Sequence, residues 1–439
     1  MNKTMRASLM VATLLAVSGC GIFKARTKTP VLGDRVPILL SERAVEADPS
    51  LAAVQVVLPP ATANADWSQP GGNAAKSMGH LALAASPARA WSAQIDGGSN
   101  RKRLAASPVI AGGKMFVVDV MGVVHAFAAD TGARLWSAKV AEKGGNENSL
   151  FGGGVSAEGE RVYATNGVGE LVAMNAADGA ILWRAKPTGP LRGAPTIFAD
   201  QIYVMSQDNQ LVALNAADGQ VVWTSSGALE ASGVFGVAAP AAGQGTIVAG
   251  YSSGELNAYR YENGRVVWQD ALSRTSISTS VSSLADIDAD PVIDNGRVFS
   301  IGQGGRMVSL ELVTGQRVWE QNIGGIANPW VAGEWIFVAT DAGQLFCLAR
   351  STGRVRWIRE LTKWQDPEDK KGVVTWIGPV LAGNRLILVN NYGRMIYVSP
   401  ETGEDQASIQ TEDKFSLSPV VANNTLYLIG DSGRITAWR

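Results

Sequence analysis

The 439-residue chain has only two cysteines, Cys20 and Cys347, and only two histidines, His80 and His125. So small an inventory builds neither a disulfide framework nor a Cys/His metal cluster. Charge is sparse as well: 18% of residues are charged and the formal net charge is −1. The basic footprint of a nucleic-acid-binding protein is therefore absent. Beyond the N-terminus no apolar run reaches the roughly 20 residues that a spanning helix needs. What is plentiful is glycine, with 49 copies, in a chain that is 46% hydrophobic. That combination fits many tight turns around a large core better than long helices.

The N-terminus reads as a targeting segment. Lys3 and Arg6 precede the apolar run Leu9–Val17, which has signal-peptide length and is too short to span a bilayer. Val17-Ser18-Gly19-Cys20 follows and resembles a bacterial lipobox. The resemblance implies cleavage before Cys20 and acylation of its sulfur and new amino group. Three acyl chains, at about 0.8 kcal/mol per buried CH₂, hold a protein durably on a membrane. Gly21 rather than Asp after the cysteine implies the outer membrane. With Cys20 lipidated, Cys347 has no disulfide partner and reads as a buried apolar residue.

The expected organisation is a signal peptide over residues 1–19, a lipidated Cys and flexible tether over 20–65, and a folded body over 66–439. A tether of that length reaches roughly 35–40 Å. Its apolar islands, Val36–Leu40 and Val54–Leu58, are candidates for docking, and Trp67–Asn73 reads as ordered.

The body is a repeat. Trp136, Trp183, Trp223, Trp268, Trp319 and Trp357 each follow a turn of the type Thr/Asp/Asn-Gly, and Thr402-Gly403 repeats the turn with Ala407 in place of the Trp. Fourteen residues before each of these positions stands Gly122, Gly169, Asn209, Gly254, Gly305, Gly343 or Gly393. Fourteen further back stands Pro108, Pro195, Pro240, Pro291, Pro329 or Pro379, with Val155 in one unit. Short apolar stretches such as Ile202–Met205 and Leu211–Leu214 lie between these landmarks and read as strands of antiparallel hairpins. Four short strands per unit, repeated eight times, predict an all-β, eight-bladed β-propeller with four-stranded antiparallel blades.

The two ends of the chain decide between a ring and an open solenoid. The eighth unit begins at Pro419 and Gly433, and its outer strand is missing because the chain stops at Arg439. Ala88–Ser92, with Trp91, is a spare outer strand ahead of the first unit. An N-terminal strand completing the C-terminal blade closes the ring and removes the exposed edges.

All length variation falls in one connection, from the outer strand of one blade to the inner strand of the next. Antiparallel topology puts these eight links on one face, and insertions collected on one face mark a binding face. Three links are long: 137–154, 269–290 and 358–378. The second ends in Asp286, Asp288 and Asp290, which lack the Gly turn and bidentate Glu of an EF-hand loop. A polar loop that recognises a basic patch on a partner is the expected role.

The Gly-turn-Trp unit resembles the quinoprotein-type propeller repeat. A lipobox, a tether and one such propeller, with nothing appended, resemble the BamB family, the lipoprotein subunits of the outer-membrane β-barrel assembly machinery. The likeness runs from Cys20 to Arg439. It implies a non-catalytic scaffold without cofactor or metal, held on the outer membrane through lipid and facing the periplasm. It also implies binding to the periplasmic domains of a BamA-type protein and help in delivering unfolded outer-membrane proteins. The family contact is carried by two adjacent loops, which here correspond to 224–239 and 269–290. Asp286 and Asp288 match the family's acidic pair. Val234 matches an apolar anchor, and Phe235 stands about where the family has Arg.

Two other functions compete. The repeat is shared with quinoprotein dehydrogenases, which carry a vicinal Cys pair, a calcium site and long insertions that this sequence lacks. The chain also fits a periplasmic propeller with a different protein partner, since fold alone does not fix function.

Overall fold

The computed structural model describes residues 45–99, 102–141, 152–229, 238–272, 286–303 and 305–439. Eight four-stranded antiparallel sheets, seven of them meanders in chain order, form the blades of a propeller. The innermost strands are Val109–Ala111, Val155–Glu158, Leu191–Phe198, Ala241–Gly243, Val292–Asp294, Trp330–Ala332, Trp376–Ala382 and Val420–Ala422, for blades 1 to 8. The second and third strands of each blade are buried almost throughout, whereas the outer strands alternate exposed and half-buried residues. The ring closes as expected. Arg89–Gln94 pairs antiparallel with Arg434–Trp438 and supplies the fourth strand of blade 8.

The tryptophans lock each blade to the next. The indole Nε1 of Trp136 donates to the Ala176 carbonyl of blade 2 at 3.2 Å, and that of Trp268 to the Leu312 carbonyl of blade 5 at 2.8 Å. Trp91, Trp183, Trp223, Trp319 and Trp357 do the same across their own seams. Each ring lies under the turn glycine of the following blade. A Cβ on Gly179 would stand 2.6 Å from the Trp136 ring. The glycine therefore supplies both the left-handed turn, φ +76°, and the room for its neighbour's indole.

This arrangement accounts for Ala407. Blade 7 faces blade 8, the one blade whose third and outer strands are not joined by a turn. They meet instead at the chain's two ends, where Ala88 and Arg439 exchange backbone hydrogen bonds of 2.6 and 2.9 Å. With no turn glycine there to receive it, a tryptophan at 407 has no seat.

The compact unit begins at Val45, upstream of the boundary at 66 read from the sequence. Residues 45–65, assigned there to the tether, lie on the propeller. Asp48 N–H donates to the Val355 carbonyl at 2.8 Å, and Val56, one of the apolar islands, is buried.

Residues 64–81 then form a strap that visits all eight blades in ring order. The innermost strand of a blade has one free edge, turned to the axis, and the strap pairs with those edges. Asn64 bonds blade 8 through Val421 and Asn423. Trp67 exchanges two hydrogen bonds of 2.8 Å with Ile110 of blade 1. Ser68 accepts from Ala157 of blade 2, and the Gln69 amide side chain makes two bonds to Ile197 of blade 3. Ala74 and Ala75 accept from Ala242 of blade 4 and Ile293 of blade 5. Gly79 accepts from the Trp330 indole of blade 6, and Leu81 bonds Leu381 and Gly383 of blade 7. These contacts fall toward the ends of the inner strands that lead into the hairpin turns. The strap therefore lies on the turn face, opposite the links.

His80 adds a joint whose tautomer is fixed. Its Nε2 accepts from the Asn384 N–H at 3.1 Å, so Nδ1 carries the proton and donates to the Pro59 carbonyl at 2.8 Å.

Candidate partner-binding site

The link face surrounds the mouth of the axial channel. A cavity of about 250 Å³ lies there, walled by the starts of the inner strands and floored by the strap residues Trp67 and Lys76. The Trp67 and Trp330 rings stack at 6.1 Å between centroids.

Of the site residues expected from sequence, Cys20, Val234 and Phe235 lie outside the described residues. Asp286 and Asp288 are described, and their placement differs from an exposed acidic pair. Asp286 is 1% exposed and Asp288 9%. Both face the chain's own Arg192, at the start of the blade 3 inner strand, with N–O separations of 3.7 and 3.8 Å. Neither Asp288 oxygen accepts a hydrogen bond among the described residues. Burial, followed by the neighbouring Asp286 charge, pushes the Asp288 carboxyl up to about 7, against the pull of Arg192.

The segment is turned inward because it runs directly into an inner strand. Ile287 packs where a Cβ on Gly250 would need space, and its N–H donates to the Tyr251 carbonyl at 3.2 Å. Two-residue spacing puts three carboxylates in one short stretch, but spacing carries no information about which way the stretch faces.

Asp290 is the anchor of this region. Its Oδ1 accepts from the Ala239 N–H at 2.7 Å and its Oδ2 from the Asn328 side-chain amide at 2.8 Å. The Asn328 carbonyl oxygen in turn accepts from the Asp290 N–H at 2.8 Å. One carboxylate thus pins the roots of three successive links, those entering blades 4, 5 and 6. Burial raises its pKa, and the Lys76 charge opposes that rise.

Leu229 escaped the sequence reading. It stands on the link 224–239 and is 80% exposed. The residues before it are clamped: Ala228 N–H donates to Glu255 Oε2 at 2.7 Å, and its carbonyl accepts from Asn209 Nδ2 at 2.6 Å. A held backbone carrying an exposed leucine suits an interface anchor. The only sequence signal was a large apolar residue between alanine and glutamate in that link.

The long link 358–378 is not an irregular loop. Trp364–Asp366 and Lys371–Val373 form a small antiparallel hairpin, and the Trp376 indole donates to the Thr362 carbonyl at 2.9 Å.

His125 also gained partners that the sequence did not indicate. It lies between Asp119 Oδ2 and Ser137 Oγ, each at 2.8 Å. Asp119 Oδ1 accepts from the N–H groups of Met121 and Val123. The line braces a turn between strands.

The architecture is that of an eight-bladed, quinoprotein-type propeller with a strap across its axis. A family model described as outer membrane protein assembly factor BamB matches residues 120–359. The BamB proteins of Shigella dysenteriae and Escherichia coli K12 are each 32% identical over 353 residues, which is 80% of this chain and 88% of theirs. The chain belongs to the BamB family. Among solved structures, BamB from Moraxella catarrhalis superposes with a TM-score of 0.68 at 18% identity, covering 80% of this chain and 99% of that one. A quinohemoprotein alcohol dehydrogenase from Comamonas testosteroni gives a TM-score of 0.63 at 14% identity, covering 86% of this chain and 81% of its own. At those identities both likenesses are of fold alone.

Proposed function

We propose that this protein is a non-catalytic scaffold in the assembly of outer-membrane β-barrel proteins. Lipid on Cys20 holds it at the periplasmic side of the outer membrane. Its link face binds the periplasmic domains of a BamA-type protein, and clients are unfolded outer-membrane proteins. Family membership carries the assembly role. The observation that favours the link face is the Asp290 clamp, which fixes the roots of the links flanking blade 4 while Leu229 projects from one of them.

The burial of Asp286 and Asp288 refines the contact. In this reading they act with Arg192 to shape the link, and the partner meets the residues that the link carries outward, with Val234 and Phe235 as the further anchors.

The test is affinity purification of the tagged protein from cell envelopes, with partners identified by mass. Recovery of a BamA-type protein supports the scaffold role. Recovery of other periplasmic proteins in its absence overturns it in favour of a propeller with a different partner.

A further inference from the structure

Lys76 is the residue of the strap that the propeller architecture does not require. The strap bonds the blades mainly through its backbone, and any small residue would complete the circuit. Position 76 instead carries a lysine, 5% exposed, on backbone at φ +62°. Burying an ammonium is unfavourable unless neighbours compensate it.

Here the compensation comes from the opposite face. The ammonium donates to Thr196 Oγ1 at 3.1 Å, and that hydroxyl donates to the Pro240 carbonyl at 2.6 Å. Pro240 follows Ala239, whose N–H is held by Asp290. Asp290 also supplies the negative charge that acts on Lys76. A continuous line therefore runs from the strap to the end of link 224–239 and, through Asp290, to the end of link 269–290.

We propose that Lys76 is a positioning residue for the partner-facing links, coupling the seating of the strap on the turn face to the geometry of the link roots on the other. This rests on the reading that those links carry the partner contact. Without the ammonium, the buried Asp290 charge must take up a proton or draw in water. Either change loosens its hold on Ala239 and Asn328. With the ammonium in place, a displaced strap withdraws it from both partners.

Amide hydrogen exchange on the full mature chain tests the coupling without any partner. Lys76→Met should speed exchange at residues 238–241 and 286–291 about tenfold and leave residues 246–260, in the middle of blade 4, unchanged. The decisive comparison uses Trp67→Ala, which loosens the strap at blade 1, across the axis from blade 5. It should speed root exchange at least threefold in the wild-type background and have no such effect in the Lys76→Met background. Equal effects in both backgrounds, or none in wild type, overturn the proposal. If Lys76→Met does not fold, Thr196→Val, which removes the neutral leg of the line, takes its place in the comparison.

Recovery of a BamA-type protein gives the second readout. A threefold or greater loss with Lys76→Met supports the functional coupling. If root exchange responds as expected but recovery is unchanged by Lys76→Met and by Leu229→Asp, the coupling stands and the partner assignment falls. If recovery depends on Leu229 and root exchange ignores Lys76, the coupling falls and the partner assignment stands.

Discussion

The indole of Trp91 occupies the space that a side chain on Gly132 would need. A Cβ on that glycine would stand 2.5 Å from the ring. Trp91 comes from the N-terminal strand that completes blade 8 and Gly132 from blade 1, so this contact packs the ring-closing strand onto the next blade. The indole also donates to the Ala129 carbonyl at 3.2 Å.

Gly132→Ala should therefore destabilise more than Gly112→Ala. Both residues have positive φ, +72° and +55°, but a Cβ on Gly112 meets nothing within 4 Å. The backbone strain costs about 1 kcal/mol at either site, and overpacking adds about 1–3 kcal/mol at Gly132. Urea-unfolding midpoints at constant m-value measure the difference. Equal shifts would show that the indole yields without cost.

Leu229→Asp should remove most recovery of a BamA-type protein from envelopes, whereas Val313→Asp should not. Both side chains are exposed, at 80% and 72%, so neither change disturbs a core. Leu229 stands on the link face and Val313 in a hairpin turn on the other. An interface anchor contributes about 2 kcal/mol, equivalent to roughly a 30-fold loss of affinity. The reverse pattern would assign the partner to the turn face.

Stability should fall as pH rises from about 4 to 7. Asp288 titrates near 7 in the folded chain and near its ordinary 3.8 when unfolded. Between those values the folded state holds the extra proton, so its advantage is complete below 4 and is lost as pH rises to 7. Asp288→Asn should flatten this slope and stabilise the protein at pH 8 by up to about 2 kcal/mol. Lys76, lowered from 10.5 to about 8 chiefly by burial, works in a separate window. There the unfolded state binds the extra proton, so stability gains from about pH 8 to 10.5. Thermal melts across pH for wild type and Asp288→Asn provide the check.

Cys20→Ser should move the protein from the membrane fraction to the soluble periplasmic fraction, since stable anchoring depends on the acyl chains. Persistence of the variant in washed membranes would place the attachment elsewhere.

The ring, its eight blades and its closure were legible because they follow from local spacing. A 28-residue frame of Pro, Gly and Trp needs no knowledge of distant contacts, and the missing final tryptophan pointed to Trp91. The strap was not legible. Residues 64–81 have no strand periodicity, because they bond eight different edges in turn and match none of them over a run. Lys76 sat in that stretch as one lysine among small and polar residues. Asp286 and Asp288 were found as residues but not as geometry. Their spacing is local, whereas their burial depends on Arg192, 94 positions earlier.

The sequence by itself determined the propeller, the seam at Trp91 and the face on which the chain varies. Each is written in short-range repetition, and repetition survives without coordinates. Only the tertiary structure decided which charges turn inward and what closes the axis. Both depend on groups brought together across the channel, Lys76 beside Thr196 and Asp286 and Asp288 before Arg192. Burial there makes each charge depend on neighbours from other blades, which no local pattern encodes.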